Sequence, residues 1–303
     1  MKSCNCTISV LRHDAVIKNI CNGKVERTEV GAKSVKQKTF CYLVDNNHFY
    51  LRLGPFKYDV RCVNPFCVVI HESLNPYELK HMKEHVFPRL SYNESKSLTV
   101  YSDSDAASFP DNYKAATIFL DEIGNNSFST KIEVNNGISK KINMASHLII
   151  DKEDEDDNQF RASVYGLGGM TEEHSDAYGV EGEKELASNY QYYHAIGDLI
   201  ATMMLYITDV SLGGETYFSS TKYEEVVFPE MGSALLWFNL RSSGFEDPRQ
   251  SHGGCPVAEG YKFTVTKWFQ KYYQWKRFKC SREKEKSIDV EQIITSSTRM
   301  WIN

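Results

Sequence analysis

Between Phe160 and Tyr273 the chain reads FRASVYGLGG (160–169), LIATMMLYITDV (199–210), GGETYF (213–218), EEVVFPEMGSALLWFN (224–239) and YKFTVTKWFQ (261–270). Each run is short and rich in β-branched and aromatic residues, and each is bounded by glycine or a polar turn. Many short strands with Gly-rich turns indicate a β-sandwich or jelly roll. Upstream the spacing changes to that of a helix. Asn75 can cap it, Pro76 suits its first position, and Leu79, Met82, Val86 and Leu90 follow at intervals of three or four, with Pro88 near the end. A second amphipathic helix fits 135–146 through Ile138, Ile142 and Ala145. Cys41 to Leu53 (CYLVDNNHFYLRL) reads as a hairpin around Asp45, Asn46 and Asn47, and CVVI (67–70) as a short buried strand.

The flanks are polar. Residues 1–40 read as an extended N-terminal arm, 91–112 as a long Ser- and Asp-rich loop, and 281–303 as a loose charged tail. The acidic run DKEDEDD (151–157) lacks the glycine and spaced ligands of a calcium loop and reads as a solvated turn. At 303 residues, 41% hydrophobic and 25% charged, the composition is that of an ordinary folded chain. A formal charge of −5 provides no basic field for a nucleic-acid backbone, and no apolar run reaches the length of a membrane helix. The first residues, MKSCNCTISVLRHD, lack the continuous apolar core of a secretory signal, which points to a cytoplasmic protein or to a different native start.

The chemistry concentrates at His174-Ser175-Asp176. In an extended segment residues i and i+2 share a face, so imidazole and carboxylate can grip one cation. His252, in SHGGCP just before the last strand, is a candidate third ligand. Two histidines and one carboxylate leave three positions of an iron ion open, as in non-haem Fe(II) oxygenases, whereas a closed four-ligand zinc site would not. Lys262 lies ten residues after His252 and can place a compact ammonium beside the metal for a carboxylate cosubstrate.

The blocks VYGLGGMTEEHSDAY, LIATMMLYITDVSLGGETYF, MGSALLWFNLRSSG and SHGGCPVAEGYKFTVTKWF, in that order, resemble the catalytic domain of the collagen-type prolyl 4-hydroxylase alpha subunits. The likeness extends over roughly residues 20 to 280. It implies an α+β domain with a double-stranded β-helix (jelly-roll) core and flanking N-terminal helices, a catalytic domain over 41–280, iron ligands His174, Asp176 and His252, and Lys262 binding the distal carboxylate of 2-oxoglutarate with help from Tyr206. It places Trp237, Asn239 and Tyr113 near the substrate. It implies ascorbate as reductant, procollagen or another proline-containing peptide as substrate, protein disulfide isomerase as a candidate partner, and the lumen of the endoplasmic reticulum as the compartment. Under it Cys21 pairs with Cys41 and Cys255 with Cys280. The chain departs from the family at Thr171, Glu172 and Glu173, where Tyr and Pro are usual. Two rival readings are a cytosolic prolyl hydroxylase of a regulatory protein and an inactive jelly roll that only binds peptide.

Overall fold

The computed structural model describes residues 41–45, 49–87, 115–119, 160–179, 197–219, 225–274 and 280–288, with Leu148, Phe278 and helical residues within 138–146. The strands among them are β1 (Cys41–Val44), β2 (Phe56–Val63), β3 (Phe66–His71), β4 (Ala115–Phe119), β5 (Arg161–Tyr165), β6 (Thr171–His174) and β7 (Leu199–Tyr206). There follow β8 (Leu212–Gly213), β9 (Thr216–Phe218), β10 (Glu225–Val227), β11 (Ala234–Phe238), β12 (His252–Gly254), β13 (Val257–Glu259) and β14 (Lys262–Gln270). They form an eight-stranded sheet in the order β1-β2-β3-β11-β7-β14-β5-β4, a four-stranded sheet β10-β9-β12-β6, and the pair β13-β8. Every pairing is antiparallel.

The larger sheet is covered on both faces, which is why its central strands read as nearly continuous apolar runs. On one face Val68, Ile70, Ala201, Met203, Leu205, Leu236, Phe238, Phe263 and Val265 join the main core. Leu79, Met82 and Val86, with Ile138, Ile142 and Ala145, cover that face from the helical segments. On the other face Cys67, Val69, Tyr206, Leu235 and Trp237 meet Phe218 and Val227 of the smaller sheet. Two antiparallel sheets face to face are the jelly-roll arrangement expected from the strand pattern.

Helix α1 (Pro76–His81) starts as its sequence predicts. Asn75 Oδ1 accepts from the Glu78 amide (2.9 Å), and the Glu78 carboxylate accepts from the Asn75 amide (2.7 Å), so two otherwise orphaned donors are satisfied reciprocally. The helix continues over Met82–Val86 as a π turn, a change that its residue spacing does not mark. No helix among the described residues is long and apolar enough to cross a membrane.

Three expectations are corrected. The hairpin partner of β1 is β2, with Cys41 opposite Asp59 and Val44 opposite Phe56, while Phe49–Arg52 is a 3-10 turn. The reason is periodicity: FKYDVRCV alternates buried and open positions throughout, whereas Phe49 and Leu53 stand exposed. The cysteine pairing also differs. Cys41 and Cys280 carry exposed free thiols, Cys62 is joined to Cys67, and Cys255 is bonded to a partner outside the described residues. Cys62 and Cys67 stand opposite each other on β2 and β3 with Cα atoms 4.8 Å apart. Cys255 follows Gly254, which lies against the Lys262 side chain, whereas Cys280 comes after the Gln270 end of β14, and nine strand residues separate the two ends of that strand by roughly 26 Å. Finally, the start of the tail is packed: Ser242 donates to the Lys286 carbonyl (2.9 Å), and Ile288 is buried. The arm at 1–40, the loop at 91–112 and the acidic run at 151–157 lie outside the described residues.

The cap at Asn75 is the simplest element to test. Asn75→Ala should cost about 1 kcal/mol, read as a thermal midpoint lower by a few degrees. An unchanged midpoint would mean that the cap contributes nothing to stability.

Candidate metal centre

The site is built on β12, which pairs with β9 on one side and β6 on the other. His252 stands opposite His174 of β6 and opposite Phe218 of β9. On β6, Thr171 to His174 spans what β12 covers from His252 to Gly254, so β6 carries an irregularity beside the ligands. Asp176 follows His174 by two residues, at a bend just past the end of β6, and its side chain is 9% exposed.

The ligand atoms of His174, Asp176 and His252 lie within 4.8 Å of one another. His174 Nε2 is 3.5 Å from Asp176 Oδ1, and His252 Nε2 is 3.7 Å from Asp176 Oδ2. Neighbouring ligands of an ion bound at about 2.1 Å sit roughly 3 Å apart, so small side-chain movements close this set around a cation. The tautomers suit the task. Each Nδ1 faces a backbone carbonyl, His174 that of Glu172 (2.8 Å) and His252 that of Gln250 (3.0 Å), which leaves a lone pair on each Nε2.

Burial pushes the His252 imidazole down to about 4, against the pull of Asp176, so it is neutral at ordinary pH. Burial also raises the Asp176 carboxyl, but the two imidazoles and the Thr202 hydroxyl outweigh it and hold the group well below the usual carboxylate range. Neutral imidazoles and an ionised carboxylate are the forms that bind metal. Behind them, the Trp237 ring meets His252 edge-on at 4.7 Å, and the Phe218 ring lies 5.8 Å from it.

A second polar group occupies the barrel one pleat along. Lys262 is 5% exposed, and burial pulls its ammonium down to about 8 despite the Glu215 carboxylate nearby. Its Nζ donates to Thr216 Oγ1 (3.2 Å), which also shares a hydrogen bond with the Tyr206 hydroxyl (2.9 Å). The Tyr165 and Tyr206 rings lie 5.8 and 5.7 Å from the ammonium. Burial raises the Tyr206 phenol, which therefore remains a donor. On β9, Thr216 is two residues from Phe218, the residue opposite His252, so this box lies roughly 7 Å along the strand from the triad.

The remaining candidates separate. Trp237 and Asn239 are 1% exposed and sit behind the ligands instead of on an open surface, and Tyr113 lies outside the described residues. Glu173 is exposed and accepts from Ser219, and Glu172 is half-buried beside it. Sequence reasoning missed Thr216, Tyr165 and Thr202. Their one signal is a polar side chain inside an otherwise apolar run, as Thr202 and Tyr206 share one face of β7.

If this triad is a metal centre, Asp176→Ala or His252→Ala should weaken Co(II) or Fe(II) binding by more than the roughly 10–100-fold that loss of an outer partner causes. Equilibrium titration of the metal-free chain reads this. Binding at full strength in either variant would remove that residue from the set.

Residues 160–270 match the model of the 2OG-Fe(II) oxygenase superfamily. The chain is 26% identical over 282 residues to prolyl 4-hydroxylase subunit alpha-2 of Caenorhabditis elegans, covering 88% of this chain and 44% of that protein. It is 27% identical over 252 residues to prolyl 4-hydroxylase subunit alpha-3 of Homo sapiens, covering 81% and 41%. The chain therefore spans less than half the length of these curated relatives. Among solved structures, a viral collagen prolyl hydroxylase from Paramecium Bursaria Chlorella virus-1 matches with a TM-score of 0.44 and 18% identity, over 67% of this chain and 95% of that one. A prolyl-4-hydroxylase of Pseudomonas putida matches with a TM-score of 0.42 and 13% identity, over 67% and 91%. The triad and the buried lysine both fall within 160–270, the segment that matches the 2OG-Fe(II) oxygenase superfamily, and the curated proteins to which the chain is similar include prolyl 4-hydroxylase alpha subunits.

Proposed function

We propose that the protein is an Fe(II)- and 2-oxoglutarate-dependent prolyl 4-hydroxylase, acting on peptidyl proline in collagen-like X-Pro-Gly sequences. The observation that carries this reading is the His174–Asp176–His252 set with the buried Lys262 box one pleat away, in a chain related to prolyl 4-hydroxylase alpha subunits. A span of roughly 7 Å suits a five-carbon dicarboxylate that reaches the metal with one end and an ammonium with the other.

Bound iron and 2-oxoglutarate would supply the oxidising chemistry, consuming O₂, converting the cosubstrate to succinate and CO₂, and placing a hydroxyl on the proline ring. The protein's part is local. His174, Asp176 and His252 hold the ion and leave positions open. Lys262, Thr216 and Tyr206 bind and orient the distal carboxylate with charge and two hydroxyls. Phe218 and Trp237 shield the buried side of His252 from water.

Ascorbate as reductant, protein disulfide isomerase as partner and the lumen of the endoplasmic reticulum as compartment belong to the same proposal. The Cys62–Cys67 bond and the bonded Cys255 support an oxidising compartment. Glu172 and the exposed Glu173 directly precede the ligand His174 on β6, which favours substrates with basic residues flanking the proline.

Succinate release from 2-oxoglutarate, with and without a (Pro-Pro-Gly)-type peptide, tests the reading, and mass spectrometry of the peptide locates the added oxygen. Peptide-dependent succinate with hydroxylated proline is the expected result; release that ignores the peptide would overturn the substrate. Lys262→Ala should raise the 2-oxoglutarate requirement far more than the iron requirement, because it removes the charge partner and no metal ligand. The same lysine sets a pH dependence. Above about 8 the ligand-free site loses its proton, so binding a dianion there must take one up, and 2-oxoglutarate affinity should fall with rising pH. A flat affinity between pH 7 and 9.5 would show that Lys262 is not the anchor.

A further inference from the structure

Asp176 is reached from behind by two residues of the larger sheet. Thr202 on β7 donates its hydroxyl to Asp176 Oδ2 at 2.6 Å, and Asn239, just past β11, donates its side-chain Nδ2 to Thr202 Oγ1 at 2.9 Å. Thr202 is fully buried and Asn239 is 1% exposed. The chain has one polarity. An ionised carboxylate only accepts, so the single Thr202 proton is committed to Asp176 and its lone pair to Asn239. This orients the Asn239 amide and leaves its Oδ1 buried with no hydrogen-bond partner. A buried amide that sacrifices one acceptor costs stability, and such a group calls for an explanation.

We propose that Thr202 and Asn239 are positioning residues for the metal centre, a relay that fixes the rotation of the Asp176 carboxylate. The Thr202 hydroxyl engages Oδ2, while Oδ1 faces His174 Nε2 at 3.5 Å. Each histidine has its own orienting partner in a backbone carbonyl. Among the described residues the carboxylate has none in its own loop, and the relay supplies one from across the barrel. Asp176 follows the end of β6 in irregular chain, where backbone alone does not set its side-chain angle. Asn239 acts through Thr202 by holding the hydroxyl rotor toward the carboxylate. The inference rests on reading the triad as a metal site and is independent of the identity of the peptide substrate.

The test is Co(II) titration of the metal-free chain, with no cosubstrate or peptide, alongside thermal melts. Thr202→Val keeps the shape and removes the hydroxyl; its dissociation constant should rise at least about tenfold. Thr202→Ser restores the donor and should stay within about threefold of wild type. Asn239→Ala should weaken binding several-fold. Its effect should vanish when Thr202 is already Val, since a residue acting through another is non-additive with it. A Thr202→Val constant within twofold of wild type overturns the proposal, as do effects that simply multiply in the double variant. Should Thr202→Val fail to fold, the other two single variants decide: a wild-type constant in Asn239→Ala, or a Thr202→Ser as weak as Asn239→Ala, overturns it. Loss of metal binding in Asp176→Ala with none in Thr202→Val would sink the relay and leave the metal centre standing.

Discussion

The pairing of β12 with β6 and β9 at once is the constraint on which the rest depends. It sets the two histidines opposite each other across one ladder and Phe218 against the back of one of them. A slip of one residue on either side would turn an imidazole to the outer face, because side chains alternate with a period of two. Gly253 permits the close approach. A side chain at Gly253 would overlap the Tyr217 hydroxyl and come within 2.9 Å of the Thr171 carbonyl, whereas one at Gly254 would make only ordinary contact, 3.7 Å from Lys262 Nζ. Gly253 is therefore what lets β12 lie this close to Tyr217 of β9 and Thr171 of β6.

The division of labour between the faces of the larger sheet follows from this. The face toward the helices is apolar almost without exception and carries most of the burial. The face toward the smaller sheet holds a smaller apolar cluster beside Thr202, Tyr206, Asn239 and Lys262. Buried polar groups are tolerated there because they are mutually bonded, Thr202 with Asp176 and Asn239, Thr216 with Lys262 and Tyr206.

What was legible in the sequence tracks how local the physics is. The cap at Asn75, the apolar stripe of Leu79, Met82 and Val86, and the strand character of 160–273 depend on neighbours in the chain, and the structure carries them. The His-x-Asp step was readable because two ligands so near in sequence meet by local chain geometry, here through a bend at Asp176 just past β6. Thr202 and Asn239 were not readable as partners of Asp176, since their meeting depends on which strands lie adjacent in the sheet and in what register. The cysteines failed for the same reason: eight thiols allow many pairings, and only the β2–β3 register sets Cys62 opposite Cys67. The partner of β1 is local enough to be legible, because the two-residue period of 56–63 is visible in the letters.

Burial of Lys262 also has a consequence for folding. Its folded value of about 8 lies below the roughly 10.4 of a free lysine, so between these pH values the unfolded chain holds more protons than the folded one. Stability from this group therefore rises with pH across that window, and below about 8 the fold carries the full cost of a poorly solvated charge. A dianion arriving beside the ammonium offsets that cost. On the proposed reading, 2-oxoglutarate is then a folding ligand as well as a cosubstrate, and the resistance of the chain to unfolding reports how much of it the surroundings supply.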